Sequence, residues 1–377
     1  MKKNWEVKTL GEVCLIKPPK SEARKQLGSS DLVSFVPMEN LGIGSKYLVA
    51  CQVRPLEDVA GSYTYFAEED VLLAKITPCF ENGKLGIARN LSNGVGFGSS
   101  EYIVFRTNES LHNEFLYYFL SREQFREEGA QRMSGAVGHK RVAKDFIENY
   151  PIRLPPLPEQ QRIVAILDEA FAAIATAKKN AAKNLQNARE LFESYLHSVD
   201  AEKESLRALV DITTGKLDAN AATENGQYPF FTCSREIFAI DNFAFDCEAI
   251  LLAGNNAVGD FNVKHYEGKF NAYQRTYVIT VNKESRVLYR YLYFQMLKSL
   301  KEFKMKSVGA GTKFLKLGMI KDLKIALPSL LEQHAIVAKL DALSAETKKL
   351  EAIYRQKLND LDELKKSILQ KAFNGEL

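Results

Sequence analysis

A segment of fifteen residues occurs twice in the chain. Residues 154–168 read LPPLPEQQRIVAILD and residues 327–341 read LPSLLEQHAIVAKLD, which is a shift of 173 residues. The same shift relates identical residues on both sides, so that about sixty positions align without a gap: Gly138 and Gly311, Lys140 and Lys313, Leu185 and Leu358, Glu190 and Glu363, Leu191 and Leu364, Ser194 and Ser367, and Leu196 and Leu369. A chain repeated in this way is expected to handle two equivalent things at once, or one thing with two halves.

The repeated segments predict two long helices. Each begins just after a proline-rich stretch, at residues 155–158 and at Pro328, where a preceding helix cannot continue. Apolar or small residues then recur every three or four positions over five heptads, which favours a coiled coil over a surface helix. These residues are Ile163, Leu167, Ala170, Ile174, Ala177, Ala181, Ala188, Leu191 and Tyr195, and then Ile336, Leu340, Leu343, Leu350, Tyr354, Leu361, Leu364 and Ile368. Asn184 and Thr347 interrupt the stripes, and they either fix the register or are merely tolerated.

The length of these helices indicates how the chain is arranged. About 40 residues at 1.5 Å each make a rod of roughly 60 Å. Two such helices most simply pair with each other, and they pair antiparallel because the chain must double back. We therefore expect an α+β protein with a pseudo-two-fold internal repeat, in which an antiparallel coiled coil separates two α/β modules. The expected boundaries are 1–155 for the first module, 156–200 for the first helix, 201–328 for the second module and 329–377 for the second helix.

The two modules share a plan but few identical residues. In the first, residues 65–76 and 100–106 are strand-like, because β-branched and aromatic residues lie between turns rich in Gly and Asn, and residues 114–129 are helix-like. In the second, the matching segments are strand-like at 249–256 and 276–281 and helix-like at 290–303. The modules are expected to differ in detail, whereas the segments after them are nearly copies.

The excess of positive charge lies in the modules. The net charge is +4, and the helical segments 159–199 and 332–377 carry as many basic as acidic residues. The densest basic run is 298–324, where eight lysines face Glu302 and Asp322, and a smaller group consists of Arg132, Lys140, Arg141 and Lys144. Basic patches on globular modules suit a polyanion partner, although a solvated lysine-rich surface fits the same run.

Other features of the composition point to a cytoplasmic protein. The five cysteines form no CxxC pair, which suits a reducing compartment and argues against structural zinc. The first residues lack the apolar run of a signal peptide. No stretch approaches the roughly 20 apolar residues of a membrane helix, so we expect no membrane partner.

Motifs of catalysis are missing from the sequence. There is no GxxxxGK[ST] loop for phosphates, no HExxH and no GxSxG. We also find no Asn/Asp-Pro-Pro-aromatic sequence of the amino-methyltransferases, and no acidic pair followed by Glu-x-Lys as in nucleases. The glycine-rich stretches at 94–98 and 309–312 open no βαβ unit and are interpreted as turns. We therefore expect a protein that is not an enzyme and has no catalytic residue, cofactor or metal of its own.

The repeated helices and the variable modules together resemble one known family. Two different α/β modules, each followed by a nearly identical long helix, are similar to the specificity subunit of type I restriction–modification systems. The resemblance rests on the two copies of Pro-Leu-x-Glu-Gln-x-x-Ile-Val, on the C-terminal ELKKSILQKAFNGEL and its partner ELFESYLHSV, and on the opening at residues 5–13, which returns in altered form at 205–212. It covers the whole chain, but the modules match in layout only.

The resemblance implies a DNA-binding role. Each module would be a target-recognition domain that reads one half of a bipartite site in double-stranded DNA, and the coiled coil would set the spacer between the halves. The chain would dock two modification subunits, which methylate adenine with S-adenosylmethionine, and restriction subunits, which cleave DNA with ATP and Mg²⁺. The specificity subunits themselves carry no catalytic centre.

Candidate DNA-contacting residues follow from the chemistry of recognition. Arg, Lys, Asn and Gln read base edges, and Lys, Arg, Ser and Thr hold phosphates. The candidates in the first module are Lys75, Thr77, Asn82, Lys84, Ser99, Ser100, Lys140 and Arg141, and those in the second are Asn255, Asn256, Lys269, Gln274, Arg275 and Lys313. For each of them a turn residue or a solvated side chain is an alternative interpretation.

Four polar residues open the two helices. Glu159, Gln160, Glu332 and Gln333 are interpreted as capping residues, since such side chains suit the free amides and the dipole of a helix N-terminus. Docking of the modification subunit is the alternative for this group.

Two other functions remain as alternatives for the chain as a whole. The first is a structural adaptor, whose coiled coil holds two protein-binding modules. The second is a nuclease or methyltransferase with unrecognised motifs. Salt-sensitive DNA binding would distinguish the main hypothesis from the adaptor, because phosphate contacts weaken steeply with salt.

Overall fold

A computed structural model describes residues 5–48, 52–136 and 138–377. The chain forms two compact units, one made of residues 1–180 and 357–377 and the other of residues 181–356. The first unit is discontinuous in sequence, because its last part comes from the C-terminal end of the chain. Each unit therefore has its own core and is described separately.

Within its described residues, the first unit contains three sheets and six short α-helices. The strands are β1 (Glu6–Thr9), β2 (Cys14–Ile16), β3 (Leu32–Val36), β4 (Gln52–Pro55), β5 (Thr64–Ala67), β6 (Val71–Ala74), β7 (Leu85–Ile87), β8 (Val95–Gly98), β9 (Tyr102–Thr107) and β10 (Pro151–Leu154). The helices are α1 (Leu10–Val13), α2 (Ser21–Gln26), α3 (Leu56–Val59), α4 (Asn113–Leu120), α5 (Glu123–Gln131) and α6 (Lys144–Glu148). The sheet orders are β1-β10, β2-β9-β6-β7 and β4-β3-β8-β5.

The second unit repeats part of this plan. The first long helix, α7 (Leu157–Ser198), leads into it. Its strands are β11 (Lys203–Ser205), β12 (Val210–Thr214), β13 (Tyr228–Phe231), β14 (Phe238–Ile240), β15 (Phe245–Ala253), β16 (Asn255–Asn256), β17 (Val263–Ala272), β18 (Thr276–Val281), β19 (Lys313–Phe314) and β20 (Lys324–Ala326). Its helices are α8 (Leu206–Leu209), α9 (Tyr289–Lys298), α10 (Leu300–Lys306) and α11 (Leu317–Lys321), and the last helix of the chain is α12 (Leu330–Asn374). The sheet orders are β11-β20, β12-β18-β15-β17-β13-β14 and β16-β19.

The strand orders explain why the two modules read alike in sequence. The central order β2-β9-β6-β7 of the first unit matches β12-β18-β15-β17 of the second. The terminal pair β1-β10 likewise matches β11-β20, and both pairs are antiparallel. The units are related by internal duplication, since β13 pairs antiparallel with β14 and parallel with β17 just as β3 pairs antiparallel with β4 and parallel with β8. The second unit holds in one sheet the strands that the first unit divides between two.

The two long helices pack antiparallel in each unit, as the sequence predicts. In the first unit Lys178 pairs with Asp362, and Lys365 lies over the ring of Phe171. In the second, the Asn184 side chain donates to the Tyr354 hydroxyl at 3.1 Å. Residues of increasing number in α7 thus meet residues of decreasing number in α12.

Part of the predicted apolar stripe is wrong. Leu191 and Leu364 are 60% and 47% exposed, and the neighbouring Leu196 is buried instead. In the second unit Leu196 packs with Phe294 of α9 and Leu340 of α12. Helix α7 thus packs one face against α9 of the module and another face against α12, so its buried residues do not follow a single heptad pattern.

Two predicted elements are interrupted in the structure. Residues 65–76 form two strands in different sheets, because the chain turns at Glu69, which has a φ of +68°. The predicted helix at 114–129 divides into α4 and α5, and the predicted helix at 290–303 divides into α9 and α10. The interruption recurs at the same place in both units, which supports the duplication.

Large aromatic side chains lie in the core of each unit. Phe373 of α12 packs against Phe115 and Phe119 of α4 in the first unit. Tyr291 of α9, which is fully buried, lies in the main core of the second unit and donates its hydroxyl hydrogen to the Ala326 carbonyl at 2.7 Å. Within the described residues, none of the helices has the length and apolarity to cross a bilayer.

Gln160 and Gln333 do not cap their helices, which corrects the sequence interpretation. Both are fully buried. Gln160 accepts a hydrogen bond from the His112 amide and donates to the carbonyls of Ser110 and Pro155, each at 2.8 Å. Each glutamine fastens the loop before a module helix to the start of the long helix that follows.

The second copy makes the same three bonds. Gln333 accepts from the Leu288 amide at 2.9 Å and donates to the carbonyls of Arg286 and Pro328 at 2.8 and 2.9 Å. Of the two glutamates, Glu332 does cap its helix, because its carboxylate accepts from the amide and hydroxyl of Ser329.

Candidate nucleic-acid interface

The first unit brings several of the predicted residues to one edge. Strand β6 ends at Ala74, and the Lys75 amide donates to the Glu101 carbonyl at 2.9 Å. The Val142 amide donates to the Lys75 carbonyl at 2.9 Å, and the Thr77 amide donates to the Lys140 carbonyl at 2.9 Å. Lys75, Thr77 and Ser99–Glu101 therefore lie beside the glycine-rich loop that ends at Lys140 and Arg141.

The glycine-rich loop at 134–141 is closed by two backbone hydrogen bonds. The Ser134 amide donates to the Arg141 carbonyl at 3.0 Å, and the Arg141 amide donates to the Ser134 carbonyl at 2.8 Å. Gly135 has a φ of +125°, a conformation that other residues rarely adopt. Apart from residue 137, which lies outside the described ranges, every residue from 134 to 141 is exposed.

The second unit carries the same arrangement. The Gly254 amide donates to the Arg275 carbonyl, and the Leu315 amide donates to the Gly254 carbonyl, both at 2.9 Å. The loop that follows is closed by Val308 and Phe314, whose amides and carbonyls bond reciprocally at 3.1 and 2.8 Å. Asn256 is the strand partner of Lys313, which is the place that Thr77 takes beside Lys140 in the first unit. The loop in each unit thus projects beside the end of a central strand.

The charged side chains of the first loop form a compact network. Arg141 donates to Glu101 through Nε at 2.9 Å and Nη2 at 2.7 Å, and Lys75 Nζ lies 3.9 Å from the same carboxylate. The hydrogen bonds from Arg141 hold the pKa of the Glu101 carboxyl below its ordinary value, while burial lowers the pKa of the Lys75 ammonium. At neutral pH this edge presents the Arg141–Glu101 ion pair together with the cations of Lys75 and Lys140.

The second loop presents positive charge, and no acidic side chain of the described residues forms an ion pair with Arg275. The Arg275 guanidinium lies 5.1 Å from the centre of the Phe314 ring. A Cβ added to Gly259 would lie 3.3 Å from Cγ of Lys304 and 3.5 Å from Cγ of Lys313, so both lysines flank one turn. A cavity of about 310 Å³ opens between Thr214, Gln274, Arg275 and Phe314. This edge can hold phosphates by charge and bases by the guanidinium.

Several predicted residues make contacts that suit a structural role. Asn256 accepts from the amides of Val258 and Asp260, and so stabilises a turn. Gln274 donates to Asp218, and Asn255 pairs with Phe314 in the β16-β19 ladder.

Three predicted residues lie apart from the loops. Lys84 donates to the Met38 carbonyl at 2.7 Å, and Asn82 lies in a groove of about 700 Å³ with Arg126 and Lys365. Lys269 is the strand partner of Asp246 in the β15-β17 ladder, at the opposite end of β15 from Gly254. Its ammonium lies over the Phe243 ring.

The sequence missed some residues that shape this edge. Glu101 and Phe314 hold the two arginines. Lys304, which the sequence placed in the basic run 298–324 but not among the candidate contacts, adds charge beside Lys313. An acidic and an aromatic residue do not look like DNA-contacting residues, and Glu101 lies 40 positions before its partner. Among the described residues there is no group of three or more His, Cys, Asp or Glu that could hold a metal ion.

Comparison with known proteins identifies the family. A family model described as the type I restriction modification DNA specificity domain matches residues 2–184 and 198–360. The specificity subunit of the type I restriction enzyme EcoDI from Escherichia coli is 42% identical over 179 residues, which are 48% of this chain and 39% of that protein. The chain therefore spans about two fifths of the length of this curated relative.

Solved structures agree on the fold. A chain from a structure of the assembly and conformational transition of the type I R-M system has a TM-score of 0.80 at 20% identity, and the match covers 100% of this chain and 99% of that one. The HsdS subunit from Thermoanaerobacter tengcongensis has a TM-score of 0.66 at 19% identity, with 100% and 98% covered. With the family model matching both halves, the chain belongs to the family of type I restriction modification DNA specificity domains.

Proposed function

We propose that this chain is the DNA specificity subunit of a type I restriction–modification complex, and that each unit reads one half of a bipartite DNA site. The observation that carries the proposal is the duplicated loop-and-strand edge. The backbone hydrogen bonds are the same in both units, whereas the side chains differ. A protein that reads two different half-sites needs such a pair of similar frames with different residues.

The proposed division of labour follows from the chemistry of the edges. Lys140 and Lys313 occupy equivalent places at the ends of the loops and would hold phosphates, which position the protein without reading sequence. Arg141 and Arg275 would face base edges, since guanidinium groups form the commonest specific contacts with bases. The proposed domain boundaries are 1–155 and 201–328, with the helical segments at 156–200 and 329–377.

The long helices would set the spacer between the half-sites. Helix α7 has 42 residues and α12 has 45. At 1.5 Å per residue they are about 63 and about 68 Å long, and half-sites one turn of B-DNA apart are separated by roughly 34 Å. Helices of this length are sufficient for a spacer of at least one turn.

The nearly identical helical segments would dock two copies of a modification subunit. A partner that meets both segments constrains both in the same way, which accounts for their similarity. The methylation, with S-adenosylmethionine, and the cleavage, with ATP and Mg²⁺, would be the work of the modification and restriction subunits in a cytoplasmic complex. The chain itself would contribute recognition only.

The test is a methylome of the reconstituted complex. The chain is expressed with a modification subunit from the same source in a host without other methyltransferases, and the DNA is sequenced by a method that detects methyladenine. We expect methylation at one interrupted sequence, and none when either subunit is omitted. A complex that methylates no interrupted sequence refutes the proposal.

The adaptor alternative makes a different prediction for DNA binding. Under the proposal, the affinity of the complex for its site falls steeply between low and physiological salt, because bound phosphates release counterions. A complex that assembles on the helices but binds DNA with no dependence on salt would favour an adaptor.

A further inference from the structure

The two loop edges correspond hydrogen bond by hydrogen bond. The amides of Lys75 and Gly254 donate to the carbonyls of Glu101 and Arg275, so residue 101 occupies the place of residue 275. The pairing of Ala74 with Tyr102 and of Ala253 with Thr276 fixes the same correspondence. The backbone frame of one unit can therefore be compared with that of the other, position by position.

The loop closures give the second pair of equivalent positions. Arg141 bridges to Ser134 on one side and to Ile76 on the other, and Phe314 bridges to Val308 and Asn255 in the same way. Residue 141 therefore occupies the place of residue 314. We call residues 141 and 314 the loop positions and residues 101 and 275 the strand-turn positions. In each unit the side chains at these two positions contact each other, as an ion pair in the first unit and as a cation–π pair in the second.

The guanidinium has changed places between the two frames. In the first unit it comes from the loop position, Arg141, and the strand-turn residue Glu101 holds it. In the second it comes from the strand-turn position, Arg275, and the ring of the loop residue Phe314 holds it. Each unit thus keeps one supported guanidinium at this edge, offered from opposite sides of the same frame.

We infer that Arg141 and Arg275 each read one guanine, Arg141 in the half-site of the first unit and Arg275 in that of the second, with Glu101 and Phe314 as their positioning residues. The inference deepens the proposed function and rests on it. Because the guanidinium comes from opposite sides of the frame, we also expect the guanine to occupy a different place relative to the loop in each half-site.

The geometry leaves donors free on both arginines. Glu101 takes Nε and one hydrogen of Nη2, and the His139 carbonyl accepts from Nη1 at 3.1 Å. One hydrogen remains on each terminal nitrogen, which is the number that a bidentate contact with guanine O6 and N7 requires. Arg275 is exposed, and its cation–π contact with Phe314 uses none of its N–H groups as a hydrogen-bond donor to oxygen.

A purely structural role fits the pairs less well. Arg141 is 47% exposed in its side chain, and the backbone already closes its loop. An exposed ion pair contributes little to stability. A residue kept only to close the loop would not need its guanidinium moved to the other side of the frame in the second unit.

The test uses the complex of the full chain with its modification subunit and a library of sites with every base at every half-site position. Arg141→Lys keeps the charge but loses the fork, so discrimination for guanine at one position of one half-site should fall roughly 5- to 150-fold. Arg275→Lys should do the same in the other half-site only. Glu101→Gln should weaken discrimination at the position that Arg141→Lys affects, while binding to unrelated DNA becomes tighter since a negative charge is lost.

Arg207→Lys is the matched control, because Arg207 also forms an exposed ion pair, with Asp322, outside the loop edges. Its site preference should equal that of the wild type. The inference is overturned if Arg141→Lys and Arg275→Lys keep full discrimination at every position, or if both change the same half-site.

Two further outcomes separate the inference from other failures. If a variant complex does not methylate, competition binding with the same library measures its discrimination directly. If Glu101→Gln lowers the melting temperature but leaves every base preference intact, Glu101 is structural and the inference fails. A wild-type complex that methylates no interrupted site refutes the proposed function instead.

Discussion

Replacing Gln160 by methionine tests whether the repeated glutamines fasten the modules to the long helices. Methionine has nearly the same shape but forms no comparable hydrogen bonds. The change removes one acceptor and two donor bonds at once, and leaves the His112 amide and the carbonyls of Ser110 and Pro155 without their partner. The substitution should therefore lower the free energy of unfolding and leave the packing nearly unchanged.

The expected magnitude follows from the three lost bonds. Each is worth about 1 kcal/mol net, so the free energy of unfolding of the first unit should fall by about 3 kcal/mol. For a unit of roughly 200 residues this corresponds to a melting temperature lower by about 6–12 °C. Gln333→Met should have a similar effect on the second unit, because its three bonds have nearly the same lengths.

Calorimetry of the purified chain measures the effect, and hydrogen exchange of the His112 amide reports it locally. Gln161→Met is the matched control, since Gln161 is the next residue of the same helix and is exposed. Its change should stay within about 0.5 kcal/mol. The reasoning is refuted if both variants melt together, or if the His112 amide exchanges equally fast in both.

Three other changes test separate parts of the molecule. Lys46→Met should destabilise the first unit by about 2 kcal/mol in denaturant unfolding, because Lys46 lies 2.8 Å from Glu114 and 2.6 Å from Asp168 and its loss leaves one buried and one half-buried carboxylate short of a partner. Burial raises the pKa of Glu114, but hydrogen bonds from Lys46 and Tyr47 bring it below its ordinary value. The wild type should therefore lose stability as the pH falls through this lowered pKa, and Lys46→Met should lose less stability over the same pH range. Lys313→Ala should reduce the slope of log affinity against log salt by about 1 without changing the methylated sequence, which a salt titration of the complex measures. Inserting four residues, about one turn, into one long helix should change the spacer in the methylome and leave the half-sites alone, and altered half-sites would contradict the proposed division of labour.

Features with a regular period were predictable from the sequence. The helices α7 and α12 follow from the three-to-four spacing, since a helix turns the same face every 3.6 residues, and their antiparallel pairing follows because the chain must double back. Strands such as β18 (Thr276–Val281) were found where β-branched and aromatic residues lie between turns. The turn at Glu69 was missed because this glutamate lies inside a strand-like segment, and its residue type does not reveal the positive φ of its backbone.

The loop edges could be predicted only in part. Lys140 and Lys313 follow the constant shift of 173 residues and do occupy equivalent places. The strand-turn positions are shifted by 174 residues and the strand ends by 179, because the units differ in loop length. An alignment without gaps therefore cannot pair Glu101 with Arg275, and the exchange of the guanidinium becomes visible only in the hydrogen bonds.

The discontinuity of the first unit has a consequence for biosynthesis. Its residues up to 180 are synthesised first, but its core needs Phe373, which is made after the whole of the second unit. At roughly 5–20 residues per second, the wait lasts on the order of ten to forty seconds. The second unit is contiguous in sequence and can complete its fold during this interval. The nascent first unit must meanwhile keep Phe115 and Phe119 from aggregating, so slow translation or a truncation before Phe373 should direct the chain to chaperones and proteases.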